Sequence, residues 1–357
     1  MTLLISTCGT SLLTNLGDED ERKWLTSIAN ETDGDDRAYG FIGRIEHKLA
    51  LQPREAYRRL SAEFNSIEAT RTHLPGQRQH LLVHTDTFVG REAARLVSGM
   101  IAASGEGVQL LTVPDLRTNN LTSFRLALPQ LSRELDASYI TPFKQARIPV
   151  AFNLTGGFKS LLAYLQAFAM LHGLPSYLLF EGAPEAMEIP ALPIRLDDEG
   201  LLRDQLERFR RLDVGYTLPA REHLSAPRTL FADLGGDLEL TEWGTLIWSR
   251  LRVRALGDGP LPSLSPKLRI AASLASSFRA FESSRRAKAN EALDALACHL
   301  DTGKPLLKSV TFKQFTSPLE PAMTHELYAW SDGSAGRIML TRERDTYTAY
   351  KLREHLG

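Results

Sequence analysis

Three stretches of small polar residues each follow a short apolar run, and they are where this chain could do chemistry. They are Ser6-Thr7-Cys8-Gly9-Thr10-Ser11-Leu12, His84-Thr85-Asp86-Thr87-Phe88-Val89-Gly90 and Asn153-Leu154-Thr155-Gly156-Gly157-Phe158-Lys159-Ser160. The third is the richest. Paired glycines let a backbone come close to a ligand, and N–H groups at the start of a following helix favour an anion. Asn153 and Thr155 add hydrogen-bonding groups and Lys159 adds charge, which fits a phosphate-containing ligand. A tight strand-to-helix turn capped by Thr155 would use the same residues with no ligand. Gly9 lacks the Gly-x-x-Gly continuation of a dinucleotide fingerprint. Gly-Gly-Phe-Lys-Ser lacks the first glycine of a P-loop.

The elements that must hold these loops follow from apolar patterning. Strand-like runs lie at 3–7, 80–85, 109–113, 149–154 and 176–180, with a possible last strand in 188–196. Amphipathic helices fill 91–104, ended by Gly105, and 159–172, stopped by Gly173 and Pro175. Alternation of apolar strands with helices predicts an α/β, doubly wound, mostly parallel sheet over 1–205, with ligands at the strand carboxyl ends. A charged helix at 203–211, turn formers up to Gly236, one helix over 240–256 capped by Thr241 and a Pro/Gly-rich stretch at 257–266 predict a small helical or winged-helix module over 206–270. The last segment, 271–357, changes character. Helical pattern over 269–299 gives way to strand signals at 308–315, 325–330, 337–340 and 346–352, an α+β order.

Composition narrows the function classes. Of 357 residues 43% are hydrophobic and 24% charged, as in ordinary globular proteins. Two cysteines, Cys8 and Cys298, give neither a disulfide framework nor metal spacing, so no metal and no resident cofactor are expected. The start reads as a strand and not a signal peptide, and no run approaches the ~20 apolar residues of a membrane helix, so a cytoplasmic protein is expected. Net charge is −1, but residues 266–357 carry 14 Lys/Arg against 10 Asp/Glu, and the remainder 28 against 33. That asymmetry fits a C-terminal part that meets an anion, and equally fits chance on solvated faces.

Ser6-Thr7-Cys8-Gly9-Thr10-Ser11-Leu12-Leu13 together with Asn153-Leu154-Thr155-Gly156-Gly157-Phe158-Lys159 resembles the CARF sensor domains of type III CRISPR ancillary proteins, over roughly residues 1–200. The resemblance implies a Rossmann-like homodimer binding a cyclic oligoadenylate, most often the tetramer, across its two-fold. By position it makes Thr10, Ser11, Asn153, Thr155, Gly156, Gly157 and Lys159 the ligand contacts, with Asp86 and Arg91 secondary. Some such domains also cleave their ring, a reading that would make the chain an off-switch.

Three effector types can follow such a sensor. A HEPN ribonuclease needs Arg and His four to six residues apart on a helix, and the pair Arg78 and His84 falls in a predicted strand. A restriction-type nuclease needs Asp/Glu-x-Lys, which does not occur after residue 205. The tail instead resembles the RelE/ParE toxin superfamily, on His325-Glu326-Leu327-Tyr328-Ala329-Trp330, Gly336-Arg337-Ile338-Met339-Leu340 and Thr346-Tyr347-Thr348-Ala349-Tyr350-Lys351-Leu352-Arg353-Glu354-His355. This implies an mRNA interferase acting with the ribosome, metal-free, through attack of the 2′-hydroxyl. Arg337 then holds the phosphate, Arg353 is a second phosphate ligand, and Lys351 and His355 are the base or acid. Glu326 departs from the pattern, because the best-known relatives place a lysine there. Without a nucleic acid, Arg337 would pair with Asp332 and the others would be plain solvated residues. The rival reading is a ligand-controlled DNA-binding transcription regulator, with Arg250, Arg252 and Arg254 on its recognition helix.

Overall fold

The computed structural model describes residues 1–117, 121–180, 182–193, 197–307, 309–315, 323–332 and 334–354. Backbone contacts divide the chain into two units, Met1–Leu196 and Asp197–Gly357.

In the first unit the apolar runs become β1 (Thr2–Thr7), β2 (Arg78–Thr85), β3 (Gly107–Val113), β4 (Val150–Asn153), β5 (Ser176–Leu178) and β6 (Met187–Ile189). The sheet order is β3-β2-β1-β4-β5-β6, with β6 alone antiparallel to its neighbour. The helices are α1 (Ser11–Leu16), α2 (Glu19–Ser27), α3 (Asp36–Ala50), α4 (Tyr57–Leu60), α5 (Ala62–Ala69), α6 (Phe88–Ala102), α7 (Leu121–Glu134), α8 (Thr141–Gln145) and α9 (Lys159–Leu171). Every residue of β1 is buried because both faces are covered. Leu4, Leu82 and Ala151 join Phe41, Phe64 and Val97 on one side. On the other, Phe152 meets Phe168 of α9 edge-on, 6.1 Å between ring centroids. The fold is the expected doubly wound α/β sheet.

The five helices between β1 and β2 are an addition to the sequence reading. Their signals are ordinary ones: in α3, Ala38, Phe41, Ile42, Ile45 and Leu49 recur at helical spacing behind the Asp35 cap. At the amino end of β2, Arg78 is fully buried and grips Glu106 through two bonds of 3.0 and 2.9 Å. His80 shares that carboxylate at 3.1 Å.

The second unit contains α10 (Asp198–Asp213), β7 (Phe231–Leu234), β8 (Asp237–Leu240), α11 (Glu242–Leu256), β9 (Leu268–Ile270), α12 (Ala272–Phe278), α13 (Ser283–Thr302), β10 (Thr311–Gln314), β11 (His325–Trp330), β12 (Gly336–Glu343) and β13 (Thr346–Glu354). Its main sheet runs β10-β11-β12-β13-β9, an antiparallel meander closed by β9, which lies parallel to β13. Residues 206–270 do not stand apart as the sequence predicts. Two helices and the four-residue strands β7 and β8 bury Phe209, stacked on Trp248 at 5.1 Å, together with Phe231, Leu238, Leu246 and Leu251. They are also tied to the tail, through Arg210–Asp294 and Arg252–Glu291, and β9 is a strand of the tail's own sheet.

Candidate functional site

Strands β1 and β4 are neighbours in register, Ser6 beside Asn153, and the chain order reverses between them. The crevice at such a switch point is the standard ligand position of an open α/β sheet. Both glycine loops start there. Gly157 has φ +95, and a Cβ on it would lie 3.1 Å from Thr7 Cβ, so glycine is required for the loops to meet. Thr7 also donates its hydroxyl to the Gly156 carbonyl.

The predicted contacts divide into two groups. Asn153 is 1% exposed, and its amide donates to Ser66 Oγ at 2.8 Å and to Ser6 Oγ at 3.4 Å. Thr155 donates to Asn153 Oδ1 at 3.0 Å and accepts the Leu179 N–H at 2.9 Å, so it does not cap α9. These bonds hold the loop from inside, with Asn153 buried and Thr155 half-buried. Thr10, Ser11 and Gly157 are half-buried, Gly156 is buried and Lys159 is exposed, at the start of a helix whose first N–H groups have no side-chain cap. Asp86 is also engaged internally, accepting the Asp115 N–H at 2.8 Å, while Arg91 donates to the Asp86 and Thr32 carbonyls. One residue escaped the sequence reading. Glu63, at the start of α5, accepts the Gly9 N–H at 3.0 Å and the Ser11 hydroxyl. No local pattern marks it, because its partners lie some fifty residues upstream.

In the second unit, strand register assembles a polar face. Thr311, Tyr328, Arg337 and Arg353 form one cross-strand row; Lys313, Glu326, Met339 and Lys351 form the next, two residues along each strand and so on the same side. The other side carries Leu327, Ile338 and Leu352 into the core. Arg337 does not pair with Asp332, which is taken by Arg285 and Lys288. It donates to Glu326 at 2.9 Å, and the two side chains are 16% and 7% exposed. Arg337 and Lys313 both lie over the Tyr328 ring, at 4.6 and 5.3 Å. Burial, and then the nearby Glu326 carboxylate, push the Tyr328 phenol above its ordinary range. The Nε atoms of Arg337 and Arg353 are buried without a hydrogen-bond partner among the described residues. Three of the four predicted catalytic residues thus share one face, Lys351 exposed at its rim; His355 lies outside the described residues. Register also brings in Lys313, Glu326 and Tyr328, which spacing alone does not connect.

The arginines of α11 are partly engaged. Arg252 binds Glu291 at 2.7 Å and Asp213 at 3.4 Å, and Arg254 lies 3.9 Å from Glu199, so they do not present a single free basic row. Among the described residues no helix is long and apolar enough to cross a membrane.

No curated protein matches the chain. Among solved structures it is similar to Can2 from Sulfobacillus thermosulfidooxidans, in complex with cyclic tetra-adenylate, at 9% identity over 98% of this chain and 78% of that one, with a TM-score of 0.26. It is similar to protein VC1899 from Vibrio cholerae at 8% identity over 99% and 79%, with a TM-score of 0.24. Residues 58–192, which include Glu63 and the second glycine loop, match the family model described as CRISPR-associated protein (Cas_APE2256).

Proposed function

We propose that the chain is a sensor-gated endoribonuclease of type III CRISPR immunity. Its first unit acts as a CARF sensor that binds cyclic oligoadenylate, the tetramer by preference, in a homodimer. Its second acts as a RelE-like interferase that cuts mRNA on the ribosome. The family match over 58–192 and the glycine loops at the switch point support the sensor half. The observation that carries the effector half is the Glu326–Arg337 pair within two rows of cations and a tyrosine.

That grouping suits cleavage by the RNA's own 2′-hydroxyl. Glu326 takes the 2′ proton as O2′ bonds to phosphorus, and Arg337 and Arg353 hold the charge of the pentacoordinate phosphate. The P–O5′ bond then breaks, and Lys351 or His355 protonates the leaving oxygen, giving a 2′,3′-cyclic phosphate. Glu326 is then no defect in the family pattern: a carboxylate replaces the lysine as base. Ring binding switches the enzyme on by favouring the active arrangement over the inactive one.

The test is an in-vitro translation reaction with and without cyclic tetra-adenylate. The reading expects message cleavage only with the ring, and loss of roughly 10²–10³-fold in Arg337→Ala. Intact messages with saturating ring, or undiminished cleavage by the variant, would refute it.

A further inference from the structure

Glu63 touches both glycine loops and is itself 1% exposed. Its Oε1 accepts the Gly9 N–H at 3.0 Å, and its Oε2 accepts the hydroxyls of Ser61, at 2.9 Å, and of Ser11. Ser11 Oγ accepts the Ala62 N–H in turn, at 2.9 Å. Gly156 packs so tightly on this side chain that a Cβ there would lie 2.7 Å from Glu63 Cγ. Two oxygens that only accept, from three donors, have the bonding of an ionised carboxylate, and a place in the first turn of α5 favours that charge. Burial, and then this charge, raise the neighbouring Cys8 thiol well above its ordinary value.

A phosphate seated in the first loop would compete with Glu63 for the Gly9 N–H and the Ser11 hydroxyl, and would face a buried like charge. We propose that Glu63 is a built-in anion that keeps ligand phosphates out of the first loop and directs them to the second, beside Lys159. The first loop then meets an uncharged part of a cyclic oligonucleotide, a ribose hydroxyl or a base edge, through Thr10. Glu63 is a specificity-determining residue that acts without touching the ligand. This rests on the ring-sensing reading given above.

Glu63→Gln keeps size and one acceptor but removes the charge, so it separates the electrostatic role from a purely structural one. Calorimetric titration of the full chain with cyclic tetra-adenylate is expected to show roughly three- to tenfold tighter binding by this variant, the gain shrinking in high salt. Lys159→Ala should bind at least about tenfold more weakly, as expected for loss of a charged phosphate contact. Equal or weaker binding by a Glu63→Gln protein of unchanged melting temperature overturns the proposal. A second arm does not depend on the ring. Inorganic phosphate should raise the melting temperature of the Lys159→Ala/Glu63→Gln double variant and leave Lys159→Ala alone unmoved; equal shifts overturn the proposal. If the wild-type chain ignores the ring, the sensor reading fails and this arm alone decides the role of Glu63.

Discussion

Arg210 on α10 holds both carboxylate oxygens of Asp294 on α13, at 2.9 and 2.7 Å, with each side chain no more than 6% exposed. A buried pair of this kind is costly to break from one side, because the remaining charge has no solvent. Arg210→Ala should therefore lower unfolding free energy by about 3–5 kcal/mol. Replacing both residues with apolar ones of similar size should cost much less. Denaturant titrations of the three proteins measure the difference, and equal losses in single and double variants would contradict it.

Glu326→Gln should leave RNA affinity nearly intact and slow cleavage by roughly 10²–10⁴-fold, the usual worth of a general base. Loss of a purely structural pairing partner would lower the melting temperature without slowing the chemical step this much. Single-turnover rates, with melting temperature as the check on folding, distinguish the two roles.

Acid should loosen the first unit in two stages. Burial, reinforced by the adjacent Arg78 charge, lowers His80 from 6.5 to about 4. The unfolded chain therefore binds a proton that the folded one refuses, and stability falls as pH drops from 6.5 towards 4. For Glu106, burial pushes upward but is outweighed by the Arg78 hydrogen bond and charge, by His80 and by Arg71, which hold it at about 2 against a usual 4.5. Its contribution is complete above 4.5 and is lost as pH falls towards 2. His80→Gln should remove the upper stage and leave the lower one, as read by denaturant midpoints at stepped pH.

Gly156→Ala should destabilise by about 1–3 kcal/mol, since the new methyl meets Glu63 Cγ at 2.7 Å and Oε1 at 2.8 Å with no room to shift. Ring affinity should fall with it. Gly99→Ala, inside α6 where nothing lies within 4 Å of the added carbon, should instead stabilise by up to about 1 kcal/mol. Thermal melts of the two variants test the opposite signs.

Much of the frame was legible from the residues. Fully buried strands such as β1 and β4 announce themselves as short apolar runs, and Gly156-Gly157 marks a loop wherever it falls. The site was legible only in part. Asn153 and Thr155 are the right residue types for a ligand, but their hydrogen bonds run to Ser66, Ser6 and Leu179, positions far away in sequence. Arg337 likewise has Asp332 five residues away, yet sheet register gives it Glu326 across the ladder. Strand β9 was missed because three residues carry no periodicity, and only its partner β13 defines it.

The sheet of the second unit is joined across a wide gap in sequence, since β13 lies between β12 and the much earlier β9. Without Thr346–Glu354, β9 has no partner in the sheet, β12 keeps only β11, and the two cross-strand rows lose Lys351 and Arg353. A chain cut before Thr346 could still pair Glu326 with Arg337 but could not complete those rows. On the ribonuclease reading, such a shortened chain lacks the second phosphate ligand and is crippled.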